Sequence, residues 1–237
     1  MPAEFKYEKD MVAPVVRWLE AMGFVVKNEF VLPWGICDIV ACSLNPQKVQ
    51  LRNQLKQYKS IRSALGIQLL FDIPEQKKYR GISASAIKRK YEKSVVGEVI
   101  EKQLKQLESD NYIHTTRTGT YKKNSEWYPL HRKLIAIELK LNRVSEALDQ
   151  AKKNLGFVEF SYVGLPSRIA SRIVHSKKVN DFKDARIGII SVSDNACRLV
   201  LGAKNQVKKI DRPTQARLVE RFWPGTKKGI EALSAQL

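Results

Sequence analysis

The segment "KLIAIELKLNRVSEALDQAKKN", residues 133–154, decides the fold because it joins a strand to a helix and places two charges in an apolar run. Its first half predicts a strand, and its second half predicts a helix. Side chains alternate along a strand, so Glu138 and Lys140 share one face while Ile137 and Leu139 point to the other. Taken alone, this charged pair also fits an edge strand with one wet face.

The elements around this segment predict the fold class. After residue 131, single helices separate the strand candidates, which continue with "FVEFSYVGLP" and end in "ARIGIISVS" and "ACRLVLGA". Near the start, a helix over residues 8–23 precedes the strand candidates "FVVKNEFVL" and "ICDIVAC". This alternation predicts an α/β protein with a mixed sheet flanked by helices.

The stretch over residues 46–130 has a different character and predicts a separate, mostly helical unit. It contains 17 Lys and Arg against 8 Asp and Glu, half of the positive surplus of the whole chain. Helical segments are followed by "YIHTTRTGTYKKNSEWYPL", which alternates, turns at Gly119 and alternates again as a β-hairpin does. Three helices followed by a basic hairpin is the order of a winged helix-turn-helix.

The composition predicts a polyanionic partner. The chain has 42 Lys and Arg against 24 Asp and Glu, a formal net charge of +18 in 237 residues. This surplus favours nucleic acid over an anionic membrane surface, because the sequence has no basic amphipathic helix with a bulky aromatic face. No apolar run approaches the roughly 20 residues of a membrane span, and the charged start does not resemble a signal peptide. A cytoplasmic protein that does not bind a membrane is therefore expected.

Several other classes of site are not indicated. The three cysteines, Cys37, Cys42 and Cys197, fit reduced core thiols, and no Cys/His spacing predicts a zinc site. The histidines show no order typical of a serine or cysteine hydrolase. A GxxxxGK[ST] phosphate loop is absent from the sequence, so an ATP-driven motor within this chain is not expected.

A second strand with a buried charge points to metal chemistry. Asp38 interrupts the apolar strand "GICDIVAC", as Glu138 interrupts the later strand. Buried carboxylates are costly unless a cation or a metal accompanies them. Two carboxylates on adjacent strands can hold Mg²⁺, and Lys140 beside them can orient water and neutralise charge that develops on phosphorus. These groups together favour phosphodiester hydrolysis.

On these residues the chain resembles the PD-(D/E)xK nuclease superfamily, which has the restriction-endonuclease-like fold. Asp38 in "CDIVA" matches the first metal-binding acid of that superfamily, Glu138 in "IELK" the second, and Lys140 the lysine of the motif. The resemblance implies that Asp38, Glu138 and Leu139 bind Mg²⁺, with Mn²⁺ able to substitute.

The resemblance also implies two further site residues. Many members have a glutamine on the helix after the ExK strand, and Gln150 in "ALDQAKKN" matches it. Many also have an acid on the first helix, for which Glu8 is a better match than Glu20, which lies close to the end of that helix. Pro14 leaves the geometry around Glu8 open, because proline kinks the interior of a helix.

The resemblance predicts a discontinuous domain arrangement. Residues 1–45 and 131–205 form the nuclease-like core, residues 46–130 form the inserted winged-helix-like domain, and residues 206–237 form a basic C-terminal appendage. Asp38 and Glu138 are 100 residues apart, whereas this gap in the superfamily is usually one or two dozen residues. A domain inserted at a turn between strands accounts for the difference, because the ends of an insertion can lie close together.

The insertion offers candidate phosphate contacts on a short helix and on the hairpin, since its longest helix has a face of mixed charge. The candidates are Lys88, Arg89, Lys90, Arg117, Lys122 and Lys123. A winged helix used for dimerisation or protein contacts is the alternative.

These features together predict a Mg²⁺-dependent DNA endonuclease, a deoxyribonuclease whose inserted domain helps to bind DNA. The alternative is a catalytically inactive DNA-binding regulator or assembly protein that keeps the nuclease fold. Asp38, Glu138 and Lys140 favour the enzyme, because a binding protein has no need of buried acids. Cutting both strands of a duplex commonly requires two active sites, so a homodimer and a monomer both remain open.

Overall fold

The structure of the protein is a computed structural model that describes residues 5–32, 35–77, 80–205 and 210–236. The chain forms two compact units, each built from two separate stretches. The first unit comprises Met1–Ser43 and Arg132–Asp211, and the second comprises Leu44–His131 and Arg212–Leu237.

The secondary structure is named in chain order. The α-helices are α1 (Val12–Ala21), α2 (Pro46–Gln54), α3 (Ala64–Asp72), α4 (Ala84–Tyr91), α5 (Gly97–Ser109), α6 (Val144–Asn154), α7 (Ser167–Val174), α8 (Val179–Ala185), α9 (Arg212–Glu220) and α10 (Lys227–Gln236). A 3₁₀ helix, Glu8–Met11, leads into α1. The strands are β1 (Val25–Leu32), β2 (Gly35–Leu44), β3 (Ile82–Ser83), β4 (Ile113–Thr115), β5 (Thr120–Lys123), β6 (His131–Leu139), β7 (Phe160–Pro166), β8 (Gly188–Val192) and β9 (Cys197–Leu201).

The first unit is an α/β unit with a mixed sheet of six strands in the order β1-β2-β6-β7-β8-β9. The outer pairs β1–β2 and β8–β9 are antiparallel, and β6–β7 and β7–β8 are parallel. The parallel pairs have helical crossovers, as parallel neighbours require. The predicted fold class, a mixed sheet flanked by helices, is confirmed at this level.

Two separate clusters of buried side chains hold the helices to this sheet. One cluster contains Leu19 of α1 together with Ile39 and Ile137 of neighbouring strands. The other contains Ala147 of α6 and Val163 of β7, with residues of α7 and α8. Successive strand residues point to opposite faces, so the sheet is apolar on both sides and needs helices on both.

The first helix begins differently from the prediction of one helix over residues 8–23. The chain forms a 3₁₀ turn over Glu8–Met11, and the α-helix starts at Val12. Pro14 therefore lies in the first turn of α1, where a missing N–H leaves no helical hydrogen bond unmade. Gly23 follows the helix in the left-handed conformation, at φ +79°, which glycine adopts without steric strain.

The second unit combines helices with a small antiparallel sheet in the order β3-β5-β4. Its core contains Ile67 of α3, Ile87 of α4, Ile100 of α5 and Trp127. Helices α3, α4 and α5 precede the β4–β5 hairpin along the chain. At the two ends of the stretch, the N–H of Asn45 donates a 2.9 Å hydrogen bond to the carbonyl of Leu130. The two ends of the segment between Asn45 and Leu130 therefore lie side by side.

The C-terminal segment differs from the predicted appendage of residues 206–237. Residues 206–209 lie outside the described part of the chain, and α9 and α10 belong to the second unit. The physical reason is a buried ion pair between Arg52 of α2 and Glu220 of α9, each about 1% exposed. Two hydrogen bonds join the pair, 2.8 and 3.2 Å long.

Neighbouring groups complete the environment of this pair. The guanidinium of Arg52 lies 4.2 Å from the ring centre of Trp223 and donates to the hydroxyl of Tyr112. The N–H of Ile61 donates to the second carboxylate oxygen of Glu220 at 2.9 Å. Sequence patterns miss this contact because its partners are 168 residues apart.

Among the helices in the described ranges, none is both long enough and apolar enough to cross a bilayer.

We expect Glu220→Ala to lower the free energy of unfolding by about 3–5 kcal/mol, because it leaves the charge of Arg52 buried without a partner. The matched control is Glu231→Ala, which removes an exposed partner 3.8 Å from Lys227 and should cost at most about 0.5 kcal/mol. Urea denaturation of both variants measures the difference. Equal small losses would show that α9 contributes little to the stability of the second unit.

Candidate active site

The two acids predicted from separate strands lie close together in the first unit. Strands β2 and β6, which carry Asp38 and Glu138, are neighbours in the sheet. Oδ2 of Asp38 accepts a 2.7 Å hydrogen bond from the N–H of Leu139. The next N–H, that of Lys140, donates to Gly164 of β7, so the N–H of Leu139 faces the opposite neighbour, β2. The carboxylate of Asp38 therefore occupies a position in the strand ladder where a backbone carbonyl would normally accept.

Glu138 is buried, with 2% of its surface exposed, and is held from the helix that follows its strand. Its Oε1 accepts a 2.6 Å hydrogen bond from Nδ2 of Asn154 at the end of α6. Burial, together with the nearby charge of Asp38, raises the pKa of Glu138 to about 7 despite the opposing hydrogen bonds from Asn154 and Cys37. The carboxylate is thus costly to ionise in the metal-free protein.

The pKa of Asp38 is also raised. Burial raises the pKa of Asp38, and the negative charge of Glu8 adds to this effect. The N–H of Leu139, the charge of Lys140 and a hydrogen bond to Glu138 oppose it. Two neighbouring carboxyl groups, both with raised pKa values, form an arrangement that a cation would stabilise.

Lys140 lies directly after β6 and is also buried, with 6% of its surface exposed. Its Nζ lies 3.4 Å from Oε2 of Glu8, which the 3₁₀ turn before α1 brings into the site. The other oxygen of Glu8 lies 3.8 Å from Nη2 of Arg143. The structure therefore brings four of the predicted residues, Glu8, Asp38, Glu138 and Lys140, into one cluster.

The remaining candidates have more limited roles. Oε1 of Gln150 is buried and has no hydrogen-bond partner within the part of the chain that the structure describes. Gln150 lies four residues before Asn154, so both occupy the same face of α6, the face from which Asn154 contacts Glu138. Leu139 buries its side chain in the core, and only its backbone carbonyl could bind a metal.

Asn154 is the site residue that the sequence analysis missed. It ends the quoted segment "KLIAIELKLNRVSEALDQAKKN", is 3% exposed, and contacts both Glu138 and the sulfur of Cys37. Its four-residue spacing from Gln150 was the available signal, because residues at i and i+4 share a helix face. A lysine-rich helix end gave no indication that this asparagine would be buried.

The chemistry of the donor atoms fits a hard divalent cation. Within the described ranges, no group of three or more His, Cys, Asp or Glu side chains is arranged to hold a metal. Asp38 and Glu138 nevertheless supply carboxylate oxygens, and Mg²⁺ is commonly bound by one or two protein carboxylates with water and substrate oxygens. The raised pKa values of both acids are consistent with a site that gains from a bound cation.

The predicted phosphate contacts of the second unit are of three kinds. Lys88 and Lys90 form ion pairs with Glu101 and Asp72, which are surface contacts that a phosphate can compete with. Arg89 and Arg117 are exposed, with no ion pair among the described residues. Lys122 is half-buried.

Lys123 is a correction to the predicted set. Only 9% of its surface is exposed, and its ammonium donates a 3.0 Å hydrogen bond to the carbonyl of Leu70. Side chains alternate along β5, and this one points into the core of the second unit. A buried ammonium that satisfies a backbone carbonyl is not available to DNA phosphates.

No family model matches the chain, and no curated protein matches it. A solved structure of a protein of unknown function from Silicibacter pomeroyi is similar at 12% sequence identity, with a TM-score of 0.45. The alignment covers 97% of this chain and 92% of that one.

We expect the stability of the metal-free protein to depend on Glu138 between pH 4.5 and pH 7. The pKa of Glu138 is raised from 4.5 to about 7, so the folded state binds the proton more tightly than the unfolded state. Its contribution is fully present below pH 4.5 and is lost as pH rises through 7, a change of about 3 kcal/mol.

Glu138→Gln removes this titration and serves as the reference. Urea denaturation in EDTA at several pH values should show the wild type losing stability relative to Glu138→Gln as pH rises. Parallel pH profiles for the two proteins would mean that Glu138 is not desolvated as the structure indicates.

Proposed function

We propose that the protein is a divalent-metal-dependent endonuclease that hydrolyses phosphodiester bonds in DNA. The observation that carries this proposal is the meeting of Asp38, Glu138 and Lys140 in one cluster, in which Glu138 and Lys140 are buried and Asp38 is half-buried. These residues come from strands separated by 100 residues of chain, and each is costly to bury. A cluster that combines two acids and a lysine on adjacent strands supports a member of the PD-(D/E)xK class better than a structural role.

The acids would hold the metal. Asp38 and Glu138 would bind a Mg²⁺ ion through carboxylate oxygens, and the backbone carbonyl of Leu139 would complete the protein ligands. When bound, such an ion supplies Lewis acidity, which lowers the pKa of water and stabilises negative charge on phosphoryl oxygens. Asn154 fixes the orientation of Glu138 through its 2.6 Å hydrogen bond, as neighbours of metal-binding carboxylates commonly do.

Lys140 would act on the reacting groups. Its ammonium can donate a hydrogen bond to the attacking water and stabilise the charge that develops on the phosphate in the transition state. Glu8 acts through Lys140, because its carboxylate lies 3.4 Å from the ammonium and holds it in place. Burial strengthens both effects, since charges interact more strongly where water is excluded.

The second unit supports DNA as the substrate. Its helices α3, α4 and α5, followed by the β4–β5 hairpin, have the chain order of a winged helix-turn-helix. Arg89 on α4 and Arg117 in the hairpin are exposed and offer charge to phosphates. The net charge of +18 agrees with a polyanionic substrate.

The alternative is a DNA-binding regulator that retains the nuclease fold without turnover. Hydrogen bonds from Leu139 and Asn154 satisfy one oxygen of each acid even without a metal, as a purely structural role requires. The two functions differ in one measurable property. The nuclease cleaves DNA and needs Lys140 to do so, whereas the regulator does not cleave DNA.

We expect Lys140→Ala to reduce Mg²⁺-dependent DNA cleavage by about 10²–10³ while DNA binding remains nearly unchanged, because this lysine acts where charge develops in the transition state. The matched control is Lys133→Ala, which removes a lysine of β6, the strand that ends just before Lys140. The ammonium of Lys133 lies over the ring of Phe160. Cleavage is measured on plasmid, single-stranded and branched DNA with Mg²⁺, Mn²⁺ or EDTA. A wild type that binds DNA tightly and cuts none of these substrates would establish the regulator.

We expect the double variant Arg89→Ala with Arg117→Ala to weaken DNA binding and to flatten its salt dependence by about one unit of slope per lost phosphate contact. The control is Lys105→Ala on α5, where Glu101 and Glu98 lie on the same surface. Fluorescence anisotropy at several salt concentrations measures the slope. An unchanged slope would show that these arginines do not contact DNA phosphates and would favour a second unit that binds protein.

A further inference from the structure

A cavity of about 600 Å³ opens beside the candidate active site, within the first unit. Residues of the 3₁₀ turn, α1 and β1 line it, and Asp38 and Leu139 lie at its border with the acid cluster. We infer that this cavity takes one unpaired nucleotide of the substrate strand, next to the phosphate to be cut. This inference rests on the proposed nuclease function and adds the class of DNA that the enzyme uses.

The floor of the cavity suits the flat face of a base. Val12, Ala13 and Val16 of α1 and Val26 of β1 line it. The valines pack against the core on one side and are only half-buried, and Ala13 is exposed. Small aliphatic side chains leave a shallow apolar surface, and apolar contact with such a surface does not depend on the identity of the base.

The rim of the cavity offers positive charge. Lys9 and Arg17 line it and are exposed. They are eight residues apart, a span of roughly 13 Å over the 3₁₀ turn and the first turns of α1. The guanidinium of Arg17 donates to the carbonyl of Asp194 at 3.2 Å, which keeps it near the rim. These cations would bind phosphates on either side of the inserted nucleotide, while Glu8 and Asp38 would exclude phosphates that are not paired with a metal.

The β1 wall supplies polar groups for the edge of a base. Asn28 and Glu29 line the cavity, and both amide and carboxylate groups can hydrogen-bond to base edges. Glu29 has φ +48°, an uncommon conformation for a residue with a side chain. Asn28 pairs with Ile39 and Phe30 pairs with Cys37 in the same register, so Glu29 lies opposite Asp38. The distorted position thus adjoins the residue that would bind the metal.

The apolar floor argues for an unpaired base. In a duplex, neighbouring bases cover both faces of each base, so a floor of valine and alanine has nothing to contact. A base that is already single-stranded, or that is turned out of the helix, exposes its faces and can enter. The volume lies within the range of about 300–1,000 Å³ typical of small-ligand pockets, which suits one nucleotide.

The test fills the cavity and measures binding without cleavage. Ala13→Phe places a large side chain on the floor, and the matched control Ala21→Phe places the same side chain at an exposed position of the same helix. Both are made in a Lys140→Ala background with Mg²⁺. The probes are fluorescent single-stranded pentanucleotides of DNA, each with one abasic position, and a matching ribonucleotide set shows whether RNA enters as well.

One abasic position should weaken binding about tenfold in the background protein and in Ala21→Phe, because the missing base no longer covers the apolar floor. In Ala13→Phe the intact probe should already bind weakly, and the abasic position should make no difference. Equal abasic effects in the two phenylalanine variants, or none at any position, would overturn the inference. Thermal melting confirms that both variants are folded.

Cleavage by the wild type separates the two proposals. Faster cutting of single-stranded or mismatched DNA than of a perfect duplex supports the inference. Equal cutting of both would overturn the unpaired-nucleotide pocket and leave the nuclease in place. Sensitivity of binding to the abasic position without any cleavage would support the pocket and overturn the nuclease.

Discussion

The hydrogen bond from the N–H of Leu139 to Asp38 is the contact on which the site depends. It places an acid side chain in the ladder between β2 and β6, strands that are distant in sequence and adjacent in the sheet. Because the contact uses a backbone donor, Asp38 is held relative to the strand that carries Glu138. The sheet therefore holds the two acids at a fixed distance from each other. A metal site requires such a fixed arrangement of its ligands.

This arrangement lowers the stability of the fold, and this loss bears on the role of the charged residues. Both acids have raised pKa values because burial disfavours their ionised forms. The charge of Lys140 offsets part of that cost within the protein, whereas the charge of Glu8 adds to it at Asp38. A site optimised only for stability would replace such a cluster by apolar side chains, since buried ion pairs seldom stabilise a fold more than well-packed hydrophobic residues do. The retained charges therefore favour a chemical role.

Local patterns predict much of this molecule. Alternation along "KLIAIELKL" and the four-residue spacing in the following helix were sufficient to predict β6 and α6, and with them the shared position of Glu138 and Lys140. Contacts between distant segments were not predictable in the same way. Asn154 became a site residue through tertiary packing, and Lys123 became a core residue because of the face of β5 on which it lies. The spacing of Asn154 from Gln150 and the alternation along β5 indicate a shared face, but neither pattern shows that the face is buried.

The same limit explains the C-terminal segment. The sequence suggested an insertion between β2 and β6 followed by a basic tail, whereas the chain enters the second unit again after Asp211. The Arg52–Glu220 pair shows why this return matters, since α2 alone would leave a buried guanidinium without its counter-ion. The second unit is therefore not an autonomous insertion. Its core becomes complete only when the last helices are present, so its stability depends on the end of the chain.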